Sequence, residues 1–270
     1  MEFGNKIVIV TGAARGIGQA AAREYARQGA RVVLADINMT EQQTTASQLR
    51  ASGYEANAYK VDISKDEEVH QFATWVTENI GIPDLIHNNA VMLRSGGILD
   101  IEIEDIQELM NVNVFGYLRV VRAFLPAMLE RGSGHIAVTA SPNGINPQPM
   151  VSANLAAYCL CKAADVSLAQ CLAVSLKPLG LSVSLLFPNI SYTESVEELS
   201  GKAPAEFHQG LAQVMMAHGT SPETNAKMLI EGLKEGKFFV NAHPGYELVL
   251  REWVSHDLDP LVDWVDTQAT

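Results

Sequence analysis

The stretch Lys6-Ile7-Val8-Ile9-Val10-Thr11-Gly12-Ala13-Ala14-Arg15-Gly16-Ile17-Gly18 decides how the rest of the chain is read. Its apolar run, Lys6–Val10, is short and β-branched and does not alternate, so it reads as a strand buried on both faces. Glycines follow at Gly12, Gly16 and Gly18, and then a helical pattern over Gln19–Gln28. Glycine permits a tight turn and close approach of backbone amides to a phosphate, and the helix N-terminus adds partial positive charge. The spacing is G-x-x-x-G-x-G, not the commoner G-x-G-x-x-G, and a plain strand-to-helix turn fits it as well.

Working outward, apolar runs recur at Arg31–Ala35, Ala58–Ile63, Leu85–His87, His135–Ala140, Ser182–Phe187 and Lys237–Val240. Helical signals lie between them. Thr40-Glu41-Gln42-Gln43 and Ser64-Lys65-Asp66-Glu67 fit capping boxes, and Ser221-Pro222-Glu223 opens a helix reaching about Glu235. Val69, Phe72, Ala73 and Val76 form one apolar stripe at helical spacing. The alternation predicts a single α/β domain with a doubly wound parallel sheet of about seven strands and helices on both faces. Pro142–Asn154 and Thr193–Gly219 break the rhythm, and such irregular segments after strand ends are where binding loops sit. We therefore expect a domain over 1–250 with a substrate loop and lid at about 143–154 and 193–219. Residues 251–270, which hold Trp253 and Trp264, are expected to pack on the domain or a neighbouring subunit.

The chain has 270 residues, 47% hydrophobic and 19% charged, with a formal charge of -12, so a sizeable core is available. A surface that acidic repels phosphate backbones and anionic lipid heads, which argues against nucleic acid or a membrane as partner. Cys159, Cys161 and Cys171 are too few and too clustered for a disulfide framework. No apolar run approaches the ~20 residues of a membrane span. The N-terminus lacks a basic region followed by an apolar one. The expectation is a soluble, cytoplasmic protein.

Asp36 ends the second run, eighteen residues past Gly18. A carboxylate there accepts hydrogen bonds from the adenosine ribose of a dinucleotide and disfavours a 2′-phosphate, which points to NAD over NADP. It also suits a turn. Arg15 offers partial counter-charge to a 2′-phosphate, so use of both cofactors stays open. Tyr158 and Lys162 lie four residues apart in a helical pattern and share one face. A phenol titrates near pH ~10, and a neighbouring ammonium lowers that value towards useful acid/base range.

With the glycine loop, Asn88-Asn89-Ala90 after the fourth run and Tyr158-x-x-x-Lys162 in order, the chain resembles a short-chain dehydrogenase/reductase of the compact, single-domain type. The resemblance covers roughly residues 5–250. It implies a Rossmann-type fold and a catalytic set of Asn113, Ser141, Tyr158 and Lys162. Tyr158 would exchange the substrate hydroxyl proton and Ser141 would hold the substrate oxygen. Lys162 would lower the Tyr158 pKa and hold the nicotinamide ribose, and Asn113 would anchor a water linking Lys162 to solvent. For the cofactor it implies Gly12, Arg15, Gly16, Ile17, Gly18, Asp36, Asp62 and Ile63 (these last two at the adenine), Asn89, Tyr158, Lys162, Pro188 and Thr193. Val91 stands where the family has glycine, and Asn189 likewise after Pro188. Asn189 replaces that glycine mildly, because Asn tolerates left-handed backbone. Ser141 and Tyr158 are seventeen residues apart, more than is usual, with the extra length in 143–154.

The expected reaction is hydride transfer between NAD(H) and a secondary alcohol or ketone, without a metal. Leu93, Ile145, Met150, Leu155 and Met215 predict an apolar pocket, with Asn143 and Gln148 as polar exceptions, for a neutral, bulky, cyclic or aryl substrate. His87 and His135 read as buried strand residues, and Cys159 and Cys161 as core. The apolar helical patterns Ile106–Arg131 and Asn154–Leu176 correspond to the family's subunit interface, which implies a homotetramer or homodimer. The rival reading is a non-catalytic NAD(H)-binding sensor on the same fold.

Overall fold

The strands hydrogen-bond in the order β3-β2-β1-β4-β5-β6-β7, every neighbouring pair parallel. They are β1 Ile7–Thr11, β2 Arg31–Asp36, β3 Ala56–Lys60, β4 Leu85–Asn88, β5 Gly134–Thr139, β6 Leu181–Phe187 and β7 Phe239–Asn241. This computed structural model describes residues 1–193 and 199–259.

Side chains alternate across a strand, so β1 sends Val8 and Val10 to one face and Ile9 to the other. On the first face α1 (Gly16–Arg27), α2 (Met39–Ala51) and α9 (Pro222–Lys234) bury Tyr25, Leu49 and Leu229 against Val8, Val32 and Leu34. On the second, α3 (Asp66–Asn79), α5 (Gly116–Arg131) and α7 (Ala156–Leu176) bury Phe72, Phe124 and Leu176 against Ile9, Val33 and Ile136. The Val69, Phe72, Ala73, Val76 stripe is buried as its spacing predicts. Sheet order reverses between β1 and β4, which opens a crevice at their C-terminal ends.

Local chemistry moved several boundaries. The third strand stops at Lys60, not Ile63, because the Asp62 amide is captured by the Glu68 carboxylate at 2.8 Å. Neither expected capping box forms. Asn38 caps α2 by accepting from the Glu41 amide, and α3 starts at Asp66 without a side-chain cap. Ser221 does cap α9, from the Thr224 amide. The last strand is Phe239–Asn241, displaced past the Gly236 turn.

The two irregular segments hold short helices that their composition concealed. Pro142–Gly144 makes a 3-10 turn and α6 spans Pro149–Asn154, with Pro at the start of both. The segment expected as a lid, 193–219, contains α8, Ala205–His218, while residues 194–198 lie outside the described residues. The expected boundary at 250 falls inside α10, Tyr246–Ser255, whose Tyr246 is buried against Phe187. Trp264 and the rest of 260–270 lie outside the described residues.

Two helical stretches, Ile103–Arg131 and Ala156–Leu179, carry 18-residue windows of mean hydropathy 1.3 and 1.4. By length and composition they are apolar enough to cross a bilayer, which corrects the sequence expectation. The first comprises α4 (Ile103–Met110), a π-helical turn at Asn111–Phe115 and α5. Within them α5 and α7 pack on the sheet and α4 packs on α7, which explains the apolar faces they need.

His87 lies wholly inside, its ring nitrogens paired with the Tyr25 hydroxyl at 3.2 Å and the Thr139 hydroxyl at 3.0 Å. Burial pushes its pKa down to about 3, and burial pushes His135 down to about 4. A depressed histidine contributes stability that is full above the unfolded value near ~6.5 and is lost as pH falls towards the folded one. The urea midpoint should therefore drop between about pH 6.5 and 4. His87→Gln, which removes one titrating group, should lower overall stability but flatten that slope by up to about 1.4 kcal/mol per pH unit.

Candidate active site

A cleft of about 1070 Å³ runs across the C-terminal ends of the strands. At one end is the glycine turn. Gly12 has φ +66, and a Cβ there would stand 2.6 Å from the Ala90 Cα; a Cβ on Gly18 would collide with the Gly12 carbonyl. The first turn of α1, Gly16–Gly18, has no side-chain cap and no acidic residue. Its leading N–H groups are therefore left to an anion. That uncapped helix end, over a turn with no room for side chains, fits the pyrophosphate of a dinucleotide.

Asp36 borders the cleft at the end of β2. Its carboxylate accepts from the Ala14 amide at 3.0 Å and the Asn38 amide at 2.9 Å, so it shapes the turn as well. Asp62 and Ile63 follow β3 at the same rim, and Asp62 accepts from the Ser64 amide. Asn89 spends its side-chain amide on the Thr11 and Gly12 carbonyls, so it braces the turn. Thr193 overhangs Gly16, and Pro188 ends β6; both line the cleft with Arg15 and Ile17. Val91 stands half-exposed on the rim. Asn189 does not use left-handed backbone; instead Asn225 and Thr220 fix it through hydrogen bonds.

At the other end Ser141, Tyr158 and Lys162 meet. Ser141 follows β5 and caps the 3-10 turn, accepting from the Asn143 amide at 3.2 Å, and it lines the same cleft as Tyr158. Tyr158 and Lys162 come from one face of α7, with the Lys162 ammonium 5.9 Å from the Tyr158 ring centre. Burial holds the Tyr158 phenol above its ordinary range, although Lys162 and Ser141 pull it down. The ammonium thus acts in the expected sense but does not win. Lys162 is 2% exposed and donates to the Thr139 carbonyl at 2.8 Å and to Asp165 at 2.9 Å. Burial works against the Lys162 charge, but Asp165, Tyr117 and Tyr158 together more than offset it and hold the ammonium above its usual range.

Asn113 does not line the cleft. It sits buried in the π-helical turn and bonds the Met92 amide at 2.7 Å and the Met92 carbonyl at 2.9 Å, pinning the loop after β4. Ile145 and Met150 also leave the predicted pocket, the first packed on the main core and the second on the surface. Leu93, Leu155 and Met215 remain in its wall with Asn143 and Gln148. Asn146, His243 and Tyr246 complete it, a group that local sequence did not reveal because it assembles from two distant loops. Tyr246 donates to the Asn146 side chain at 2.8 Å. Arg94 is paired with Asp105 and Glu108, and Lys202 with Glu102. Cys161 is buried beside Met110, and burial pushes both it and Cys159 up to about 11. Among the described residues no cluster of His, Cys, Asp and Glu is arranged for a metal.

The family profile described as short chain dehydrogenase matches residues 6–203. The probable oxidoreductase EphD of Mycobacterium tuberculosis (strain ATCC 25618 / H37Rv) is 32% identical over 87% of this chain, which spans 40% of that relative's length. The 1-deoxy-11-beta-hydroxypentalenate dehydrogenase of Streptomyces exfoliatus is 31% identical over 93% of this chain and 88% of its own. A short chain dehydrogenase/reductase structure from Burkholderia phymatum, in complex with NAD, superposes with TM-score 0.85 at 27% identity, covering 96% of this chain and 98% of that one. A metagenomic short-chain oxidoreductase in complex with NADP superposes with TM-score 0.71 at 26% identity, covering 90% and 98%. The chain belongs to the short-chain dehydrogenase family of oxidoreductases.

Proposed function

We propose that this chain is an NAD(H)-dependent oxidoreductase acting on a secondary alcohol or its ketone. The observation that carries the reading is the meeting of Ser141, Tyr158 and Lys162 at one end of a cleft whose other end is an uncapped, glycine-lined helix N-terminus. The nicotinamide, when bound, supplies the hydride acceptor or donor. The chain supplies position and proton control. Ser141 Oγ donates to the substrate oxygen and holds it at Tyr158 Oη. Tyr158 gives its proton to that oxygen in reduction and takes it in oxidation. Lys162 would hold the nicotinamide ribose hydroxyls, and Asn113 keeps the Met92 loop in place beside the cleft.

Asp36 favours NAD, because its charge would oppose a 2′-phosphate. Leu93, Val151, Leu155, Leu211 and Met215 give the substrate end an apolar wall, and the nearby cations Arg94 and Lys202 are already paired. A neutral, bulky, cyclic or aryl substrate fits best. Exposed Phe115, Leu160, Val174 and Leu179 on the outer faces of α5, α7 and the turns at their ends suit a dimer or tetramer of this chain. The unpaired cysteines suit a reducing, cytoplasmic setting.

The test is NADH formation with a panel of secondary alcohols running from small aliphatic to cyclic and aryl. Turnover is expected on the bulky members. Tyr158→Phe should cut it by about 10²–10⁴ while NADH binding, read by fluorescence, stays nearly unchanged. Retention of turnover would sink the acid/base role, and NADH binding without turnover on any alcohol would favour the sensor. Because Tyr158 keeps its proton well past neutrality, oxidation should climb as pH rises towards its titration, whereas reduction should fall over the same range. Asp36→Ser should raise NADP use relative to NAD by about tenfold or more.

A further inference from the structure

Asp165 lies on α7 one turn beyond Lys162, fully buried, and the roles above leave it out. Its Oδ2 accepts from Lys162 Nζ at 2.9 Å, and the two side chains are 0% and 3% exposed. The Thr139 carbonyl takes a second Lys162 proton at 2.8 Å. An ammonium has three N–H donors, so the pair of protein acceptors leaves Lys162 a single one for a ligand. That geometry fixes where the remaining donor points.

The surroundings decide the charge. Lys162 is packed under the Tyr117 ring of α5, 5.5 Å from its centre, and beside Tyr158 and Cys161 of its own helix. Burial holds both phenols and the thiol above their usual ranges, so all three are neutral near pH 7. Asp165 is thus the one anion among the titratable neighbours of Lys162. An ammonium buried that deeply, with only neutral neighbours, sheds its proton well below its normal value. Burial raises Asp165 to about 6, which still leaves it ionised at neutrality.

We propose that Asp165 is a positioning residue that keeps Lys162 a charged, fixed ammonium, so that a cation and not a neutral amine faces Tyr158 and the cofactor. This rests on the reading of Tyr158 and Lys162 as the acid/base pair. Asp165 also acts on Tyr158 directly, and with the opposite sign, because a nearby anion opposes the phenolate. The Lys162 pull outranks that push among the causes acting on Tyr158. If Asp165 is neutralised and Lys162 discharges, the net movement of Tyr158 is therefore upward.

The test compares the parent with Asp165→Asn, Asp165→Ser and Asp165→Glu, each with and without Tyr158→Phe. Phenolate formation is followed in the near-ultraviolet as pH rises, and the difference that Tyr158→Phe makes isolates Tyr158 without any substrate. Asp165→Asn should move the Tyr158 midpoint up by about one pH unit, a tenfold loss of phenolate at fixed pH. Asp165→Glu should restore it. Asp165→Ser, which leaves room for a water, repeats the neutral substitution with a smaller side chain. The pH limb of alcohol oxidation should shift the same way, with kcat falling more than the cofactor KM rises. A Tyr158 midpoint that stays put or moves down in the neutral variants overturns the proposal. Turnover that survives Tyr158→Phe would instead overturn the acid/base reading itself, and the two failures are distinguishable because the titration needs no turnover.

Discussion

The contact between the C-terminal ends of β1 and β4 is what the site depends on. Thr11 Oγ1 accepts from the Asn89 amide at 3.0 Å and the Ala90 amide at 3.2 Å, and Asn89 returns bonds to the Thr11 and Gly12 carbonyls. Gly12 must lack a side chain for Ala90 to come this close. The phosphate turn and the loop after β4 are therefore one hydrogen-bonded unit. That loop is held further along by Asn113 at Met92, so a single chain of contacts runs from the helix N-terminus to the substrate wall.

A second feature is the amount of polarity the sheet accepts in its interior. From Tyr25 in α1 the hydrogen bonds pass through His87 to the Thr139 hydroxyl, and the Thr139 carbonyl then holds Lys162. This line crosses from the helical layer on one face to the active-site helix on the other. Among the described residues the Tyr117 hydroxyl and Asp165 Oδ1 are buried and meet no protein partner. Lys162 and Asp165 form a charge pair inside α7, 3% and 0% exposed. Replacing such a buried pair with apolar residues is often neutral or stabilising, and its retention fits a functional constraint.

Much of this was legible in the chain, and the reasons differ by element. Strands such as Ile7–Thr11 and Leu181–Phe187 announced themselves because burial on both faces demands continuous apolar residues. The glycine turn and the Tyr158/Lys162 pair were readable because their chemistry is local, set by turn geometry and one helical turn. Helix starts were less so: Asn38, not Thr40, caps α2, and Glu68 reaches across to Asp62, choices made by contacts beyond the immediate spacing. The wall built from Asn146, His243 and Tyr246 joins residues about a hundred positions apart, which no local pattern carries. Nor did spacing show that Lys162 is neutralised by Asp165, since a Lys and an Asp three apart on a helix usually mark a solvated face.

Ser95 ties down the segment over 200–208. Its amide donates to the Ser200 carbonyl, its carbonyl accepts from the Lys202 amide, and its hydroxyl meets His208 at 2.8 Å. Next to it, Gly96 bridges Asn154 and Ala156, so the loop after β4, the 143–154 segment and the 200–208 segment are sewn at neighbouring residues. Gly201 fits only because it has no side chain to strike the Ser95 carbonyl. Each stitch is worth about 1 kcal/mol, so the three segments hold one another by several modest bonds and not by one strong contact. A side chain at position 201 would therefore unpick a join between segments more than a hundred residues apart, at a point away from Ser141, Tyr158 and Lys162.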